Sequence, residues 1–338
     1  MKKIYLFTAA LALILFGAGC TKNNENRPDH GGNNQENQDP NGGNNEDPNG
    51  GNGEDPNGGG GNEEPKVKPT PKIGAENLIL WVSFDDETKP IDLPEEGITF
   101  DGNKGQAGYG SGFIGKAWTN KGGDNKVEAY AKLNLAAGNT LTQMESFTFS
   151  IWAKLPADKE AKSGVVSFNG TGAEAIWPSF IFLFDNISDV DLEDGTKIKC
   201  QQFNGRIDFL TLEGKPIMWP NCAAETFNLK NEWFQIVRTY DAATGHWANY
   251  GNGQLINAGD FLGEGNPAGP VKAAFAADCN ALYIGGWASR IEGKATDAWQ
   301  AYCPGSLDEL RFYNKAFTEE EVLALYKEEL AISLEAED

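Results

Sequence analysis

Three acidic residues in the run ISDVDLEDG offer the most direct chemistry in the chain. Asp189, Asp191 and Glu193 alternate, so on a strand their carboxylates share a face. Paired carboxylates are what glycosidic bond hydrolysis uses, one as general acid and the other as nucleophile or base. Distance works against that reading. Residues four apart on a strand start about 13 Å apart at Cα, whereas a retaining pair needs carboxyl groups only about 5–5.5 Å apart. Glu193-Asp194-Gly195 also reads as a turn, where acids are solvated. No burial signal surrounds them to raise a carboxyl pKa. The run is read first as a solvated turn and only second as a catalytic strand.

Other chemistry is sparse. Two histidines, His30 and His246, exclude a His-rich zinc site, and His246 beside Trp247 reads as a turn residue. Ser188 has no histidine near it in sequence, and no Gly-rich phosphate loop follows a strand. Four tryptophans, Trp177, Trp219, Trp287 and Trp299, stand among Pro, Gly or small polar residues rather than in alternating apolar runs. Aromatic faces stack on sugar rings in water, so these four are the candidate ligand-binding residues; packing over a sheet edge is the competing reading for each. Trp152 and Trp233 lie in strand patterns and read as sheet packing. Cys200, Cys222, Cys279 and Cys303 allow three disulfide pairings, and the local pairs Cys200–Cys222 and Cys279–Cys303 are expected.

The elements that must carry these residues are mostly strands. Leu78 to Phe84 is apolar, Phe147 to Leu155 alternates, and Val165 to Phe168 ends at Asn169-Gly170. Lys197 to Phe203 is expected to turn at Asn204-Gly205 into Ile207 to Leu212. Trp233 to Tyr240 is a further strand, and Trp247 to Tyr250 turns at Asn252-Gly253 into Gln254 to Ile256. Asn-Gly between alternating runs signals a hairpin. Ala281 to Gly285 precedes a closing unit, Gly305 to Tyr326. There Leu307, Glu309, Arg311 and Tyr313 alternate with Asp308, Leu310 and Phe312. The period then changes: Thr318 and Glu321 have capping-box spacing, and Val322, Leu325, Tyr326 and Leu330 form a helical stripe. The fold class is all-β, a two-sheet antiparallel sandwich ending in a short helix.

The 338-residue chain carries a formal net charge of −21, which argues against nucleic acid as a partner. Lys2 and Lys3, an apolar run from Ile4 to Phe16, and Gly17-Ala18-Gly19-Cys20 form an export signal. The apolar run is shorter than the ~20 residues that a membrane span needs. Residues 20–72 are rich in Asn, Gly, Asp and Pro and repeat DPNGG from Asp39, Asp47 and Asp55. With no recurring apolar residue this tract is expected to stay disordered, a tether with an end-to-end distance of about 40 Å. The folded domain is expected over 73–338.

Read with its cysteine, the N-terminus resembles a bacterial lipoprotein signal, although Gly17 stands where leucine is usual. The resemblance implies cleavage after residue 19, a lipid on Cys20, and exposure on the outer membrane surface. Downstream, NEWFQIVRTYD, ANYGNGQLI, ALYIGG, FTFSIWAKL and GSLDELRFYNKAFTEEEV are similar to the ordered motifs of laminin-G-like, concanavalin A-like jelly rolls. That resemblance covers about Leu78 to Leu330. It implies that the first and last strands pair, bringing Asp85 near Asp308, where similar domains often hold calcium; both are candidate ligands. The acidic run is in turn similar to the E-x-D-x-E strand of family 16 glycoside hydrolases, with Asp189 replacing the first glutamate. Three functions follow: a non-catalytic surface carbohydrate-binding lipoprotein, a family-16-like glycoside hydrolase, or a protein-binding adhesive domain. The first is favoured by tether, fold and loop aromatics, with a glycan or cell-surface ligand as partner.

Overall fold

A computed structural model describes residues 71–93, 96–156, 162–171, 178–191, 194–207, 217–222, 231–260, 278–295, 297 and 300–336. The first six strands are β1 (Leu78–Val82), β2 (Ile91–Leu93), β3 (Ile98–Gly105), β4 (Ala107–Ser111), β5 (Lys116–Asn120) and β6 (Ala129–Leu135). Then come β7 (Phe147–Lys154), β8 (Ser163–Thr171), β9 (Pro178–Asp191), β10 (Lys197–Ile207) and β11 (Ile217–Cys222). The remainder comprises β12 (Phe234–Asp241), β13 (His246–Gly251), β14 (Gln254–Asp260), β15 (Ala281–Ile284), helix α1 (Ala288–Ile291), β16 (Ser306–Tyr313) and helix α2 (Glu319–Ala336).

These strands make two sheets. The first runs β14-β13-β12-β7-β16-β1-β2, with β5 also paired to β16 and β4 to β5; the second runs β11-β10-β9-β8-β15-β6-β3. All the strand pairs are antiparallel, and β1 pairs with β16 as expected for the two ends of the domain. The alternation in β7 shows why the sheets face one another. Phe147, Phe149, Ile151 and Ala153 enter the shared core, and Phe149 meets Phe182 of the second sheet at 5.2 Å between ring centroids. Phe312 of the closing strand meets Phe149 at 5.2 Å and Phe168 at 5.6 Å. Burying such rings removes the apolar surface that drives the two sheets together. A charged group enters this interior: the Arg238 guanidinium lies over the rings of Phe182 and Phe203, 5.1 Å from each centroid.

Helix α2 covers the outer face of the first sheet. Its capping box is formed: the Glu321 N–H donates to Thr318 Oγ1 at 3.3 Å and the Thr318 N–H to Glu321 Oε2 at 3.0 Å. Val322 and Leu325 are fully buried against Val237, Ala248, Tyr250, Tyr313 and Phe317. Beneath the same helix lies a buried ionic cluster absent from the expected stripe. Arg311 Nη2 donates to Glu309 Oε2 at 2.7 Å, and Arg311 Nη1 pairs with Glu329. Trp81 Nε1 donates to Glu309 at 2.8 Å; Trp152 Nε1 and Gln235 Nε2 donate to Glu329 Oε2 at 2.6 and 2.5 Å.

Three local expectations are corrected. The alternation of the closing strand breaks at Glu309, whose φ is 50° and where pairing with β7 shifts register. Leu307 and Leu310 therefore both reach the core, three residues apart. Asn204-Gly205 makes no hairpin: β10 runs through it, held by Asn204↔Leu183 and Gly205↔Phe182. Pairing partners on both sides outweigh a local turn preference. Asn169-Gly170 ends nothing either; β8 continues to Thr171 across a register shift, with Gly170 at φ 99°. The Asn252-Gly253 hairpin forms, at φ 48° and 76°.

Candidate functional site

The outer face of the second sheet is built by simple alternation. Phe180, Phe182 and Phe184 of β9 point into the sandwich, so Ile181 and Leu183 point out, where they pack with Trp287. In β6 Ala129, Ala131, Leu133 and Leu135 point in, leaving Tyr130 and Lys132 outward. In β15 Leu282 and Ile284 point in, and Tyr283 lies outward with Tyr130, Ala281, Ala288 and Ile291. Gly285 then turns the chain with φ 85°; a Cβ there would sit 2.2 Å from the Trp118 ring. Ser167 of β8 fixes the short helix that follows: its hydroxyl donates to the Gly286 carbonyl at 2.8 Å and accepts from the Ala288 N–H at 2.9 Å.

Three tyrosines gather here. Tyr130 is half-buried; its ring meets Tyr283 edge-on at 5.7 Å and lies within 13° of parallel to Tyr302 at 6.3 Å. Glu292, just past α1, anchors the polar floor. Its Oε1 accepts from Tyr283 OH at 3.0 Å and from Asn169 Nδ2 at 2.8 Å, and its Oε2 pairs with Lys294 at 2.9 Å. Asn169 is set by the β8 bulge and satisfied all round, since its Oδ1 also accepts the N–H groups of Asn280 and Ala281 at 2.8 Å each. Tyr302 is held by its N–H to the Asn125 carbonyl at 2.9 Å. Gln300, two residues earlier, is fully buried, and its Nε2 has no acceptor among the described residues.

Electrostatics keep the phenols protonated. Burial raises Tyr283 well above the ordinary phenol range, helped by the charge of Glu292 and the hydrogen bond to it. Burial and the neighbouring Glu128 carboxylate raise Tyr130 and Tyr302 too. At neutral pH the three hydroxyls can donate and accept hydrogen bonds but cannot act as bases. Tyr283 and Tyr302 are 4% and 7% exposed, so of the three rings the half-buried Tyr130 is the one that offers a surface on which a sugar ring could stack.

The sequence had singled out other residues. Trp287 is 1% exposed and packs on Ile181 and Leu183, so its faces are taken by protein rather than offered to a ligand. Trp219 lies in β11 opposite Gly205; Trp177 and Trp299 lie outside the described residues. The run AYAKLNL alternates, which sets Tyr130 and Lys132 on the face opposite the core.

Asp189 and Asp191 fall on β9 as expected, and Glu193 lies outside the described residues. Asp189 is exposed, and Asp191 is exposed and paired with Lys197 at 2.9 Å. The turn after them forms, with Asp194 Oδ1 accepting the Thr196 N–H at 2.8 Å and Gly195 at φ 81°. Both described carboxylates are exposed, unlike the apolar setting that raises the pKa of a catalytic acid.

Asp85 and Asp308 do converge, upon the loop 112–116. Asp308 is fully buried; its Oδ2 accepts the N–H groups of Phe113 and Ile114 at 2.8 and 3.1 Å, and its Oδ1 that of Glu309 at 2.8 Å. Asp85 Oδ1 accepts the Lys116 N–H at 2.8 Å. Amide hydrogens aimed at these oxygens present positive charge where a cation would have to sit. Among the described residues no group of three or more His, Cys, Asp or Glu side chains could hold a metal ion. The donor set fits a loop clamp and does not fit a calcium shell of six to eight oxygens.

The cysteines are corrected in part. Cys279 and Cys303 are buried thiols not joined to each other. Burial pushes the Cys303 thiol up to about 12, so it is inert at neutral pH. Cys222 is in register with Phe203, three residues from Cys200, or about 10 Å along the strand.

A family model described as the concanavalin A-like lectin/glucanases superfamily, of laminin-G type, matches residues 122–323. No curated protein matches the chain. Among solved structures the chain is similar to domain 4 of an extracellular arabinanase from Geobacillus stearothermophilus, in complex with arabinotriose. Identity is 21% over 74% of this chain and 100% of that one, with a TM-score of 0.40. It is also similar to a heptameric SAP-like pentraxin from Limulus polyphemus (14%, 54% and 70%, 0.35). A third is the binding domain of a botulinum neurotoxin in complex with SialylT (11%, 76% and 52%, 0.48), of which the chain spans about half the length.

Proposed function

Because the chain belongs to the concanavalin A-like lectin/glucanase superfamily, we propose that it is a non-catalytic carbohydrate-binding protein whose site is the tyrosine face of the second sheet. The observation that carries this reading is the half-buried ring of Tyr130 on the outer face, held in place by the buried Tyr283 and Tyr302 and by the Glu292–Asn169 pair behind them. A sugar ring laid on the exposed part of Tyr130 would bury its apolar face there and turn its hydroxyls to the Tyr130 phenol and the part-exposed Glu292 carboxylate. Catalysis is the weaker reading, since the described acids of the ISDVDLEDG run are exposed. In the cell we place the domain on the outer surface of a bacterium. A lipid on Cys20 would anchor it, with residues 20–72 as the spacer.

A glycan array probed with the full chain tests this. We expect retention on at least one glycan, and loss of roughly tenfold or more in affinity for Tyr130→Ala, equivalent to about 1.4 kcal/mol. Tyr130 also packs on Tyr283 and Tyr302, so the variant is expected to melt lower, and affinities are compared well below its melting temperature. Retention undiminished by Tyr130→Ala would move the site elsewhere, and release of reducing sugar from a retained glycan would overturn the non-catalytic reading.

A further inference from the structure

We infer that helix α2 holds the N-terminal end of the folded domain in a carboxylate clasp, with Glu328 fixing where the segment 20–72 leaves it. That exit lies on the outer side of the first sheet, across both sheets from the tyrosine face. The inference goes beyond the carbohydrate-binding reading and stands whether or not that face takes a sugar. A chain end entering a domain frays unless something ties it down. The strand ladder starts too late to do so, because β1 begins at Leu78 with one short turn, Ala75–Asn77, ahead of it. Lys72 and Ile73 lie upstream of that turn and outside any strand. Their backbone N–H groups converge on one side chain. The Lys72 N–H donates to Glu328 Oε1 at 2.8 Å and the Ile73 N–H to Glu328 Oε2 at 3.1 Å. Each carboxylate oxygen takes one hydrogen bond, a charge-assisted bidentate grip that needs no side chain from the segment.

The residues that follow are shaped to pass under the helix. Ile73 packs on the cluster of Val237, Tyr313, Phe317, Val322 and Leu325. Gly74 then takes φ 66°, where a Cβ would come within 2.2 Å of the Phe317 ring. Asn77 closes the unit: its carbonyl accepts the Asn314 N–H at 2.9 Å and its Nδ2 donates to Asn314 Oδ1 at 3.2 Å. The helix is a firm holder at this turn. Glu329, the next residue, pairs with the buried Arg311. Consecutive helix residues point about 100° apart, so one carboxylate grips the segment while its neighbour fastens the same turn to the sheet.

Trypsin reads the clasp directly, because Lys72–Ile73 is a cleavable bond inside it. Lys66–Val67 upstream is the internal reference, and Lys68 is followed by proline. In the full chain, cleavage after Lys72 should lag well behind cleavage after Lys66. Glu328→Ala should raise the Lys72 rate, relative to that reference, by roughly tenfold or more, since cleavage follows the open population. Glu328→Gln keeps one acceptor but turns an amide NH2 to the other N–H, so its rise should be smaller, roughly threefold. Thr318→Ala loosens α2 ten residues away, about 15 Å along the axis, and should leave the ratio within about twofold. Far-UV spectra check that each variant is folded. Lys72 cut as fast as Lys66 in the parent, or a ratio unchanged in Glu328→Ala, overturns the clasp. An equal rise in Thr318→Ala also overturns it, by assigning the protection to the helix as a whole. Should Glu328→Ala fail to fold, Glu328→Gln decides, and a ratio like the parent's there overturns the inference.

Discussion

Arg311 shows how much a single buried side chain can organise. It lies on the outer face of the first sheet between two carboxylates, Glu309 and Glu329, all three sealed from solvent by α2. One guanidinium cannot balance two buried anions, and burial raises the Glu329 carboxyl against the opposing pull of Arg311. A neutral group at 329 is therefore tolerable, provided that it still accepts the hydrogen bonds from Trp152 and Gln235. Glu329→Gln should change stability by no more than about 1 kcal/mol, whereas Glu329→Ala, which strands those donors and Arg311, should cost about 3 kcal/mol or more. Urea midpoints of the two variants check the contrast; equal losses would show that the anion itself is required. Asp308 makes a parallel case. Three N–H groups converge on it, so Asp308→Ala should cost about 3 kcal/mol while EDTA leaves the parent's melting temperature unchanged. A drop of several degrees in EDTA would restore calcium to this position.

At the scale of elements, local rules were legible where the element needed only itself. The capping box at Thr318 and Glu321 formed as read, and the acidic first turn Glu319-Glu320-Glu321 suits the helix dipole. Thr318→Ala should cost about 1 kcal/mol and fray α2, seen as faster amide exchange over its first turn; unchanged exchange would mean that packing of Val322 and Leu325 alone fixes that end. Elements set by partners were harder to see. Asn204-Gly205 reads as a hairpin until β9 and β11 hold it straight, and the alternation of the closing strand cannot reveal that Glu309 takes φ 50°. Glu329 was hidden for the same reason. A glutamate on a helix looks solvated until Arg311 is found beneath it. The site suffered most. Loop tryptophans drew attention, yet Trp287 packs against the sheet, while Tyr130, Tyr283 and Tyr302 meet only through β6, β15 and a loop more than 100 residues from β6 in sequence. Only the pairing of β6 with β15 could have joined them.

For the whole domain, response to pH gathers these groups into one measurement. Asp241 is held below its ordinary value: burial pushes it up, but the Ala243 N–H, Thr244 and Ser146 together outweigh it. Glu321 behaves alike, its burial outweighed by Lys315 and the Thr318 N–H. A carboxylate depressed on folding stabilises fully above its unfolded value, near 3.8 for Asp241 and 4.5 for Glu321, and that contribution is lost as pH falls through the folded value. Glu329 has the reverse sign. Raised on folding, it stabilises below 4.5, and its contribution is lost as pH rises through its folded value. Stability should therefore fall below about pH 4 as the depressed acids protonate, and should also decline on the neutral side as Glu329 is forced to ionise. Glu329→Gln should remove the second decline and leave the first intact. Melting temperatures of both proteins from about pH 3 to about pH 8 separate the two arms. A parent curve that is flat above pH 5, or a neutral-side decline that survives in Glu329→Gln, would show that the buried cluster carries its full charge through that range.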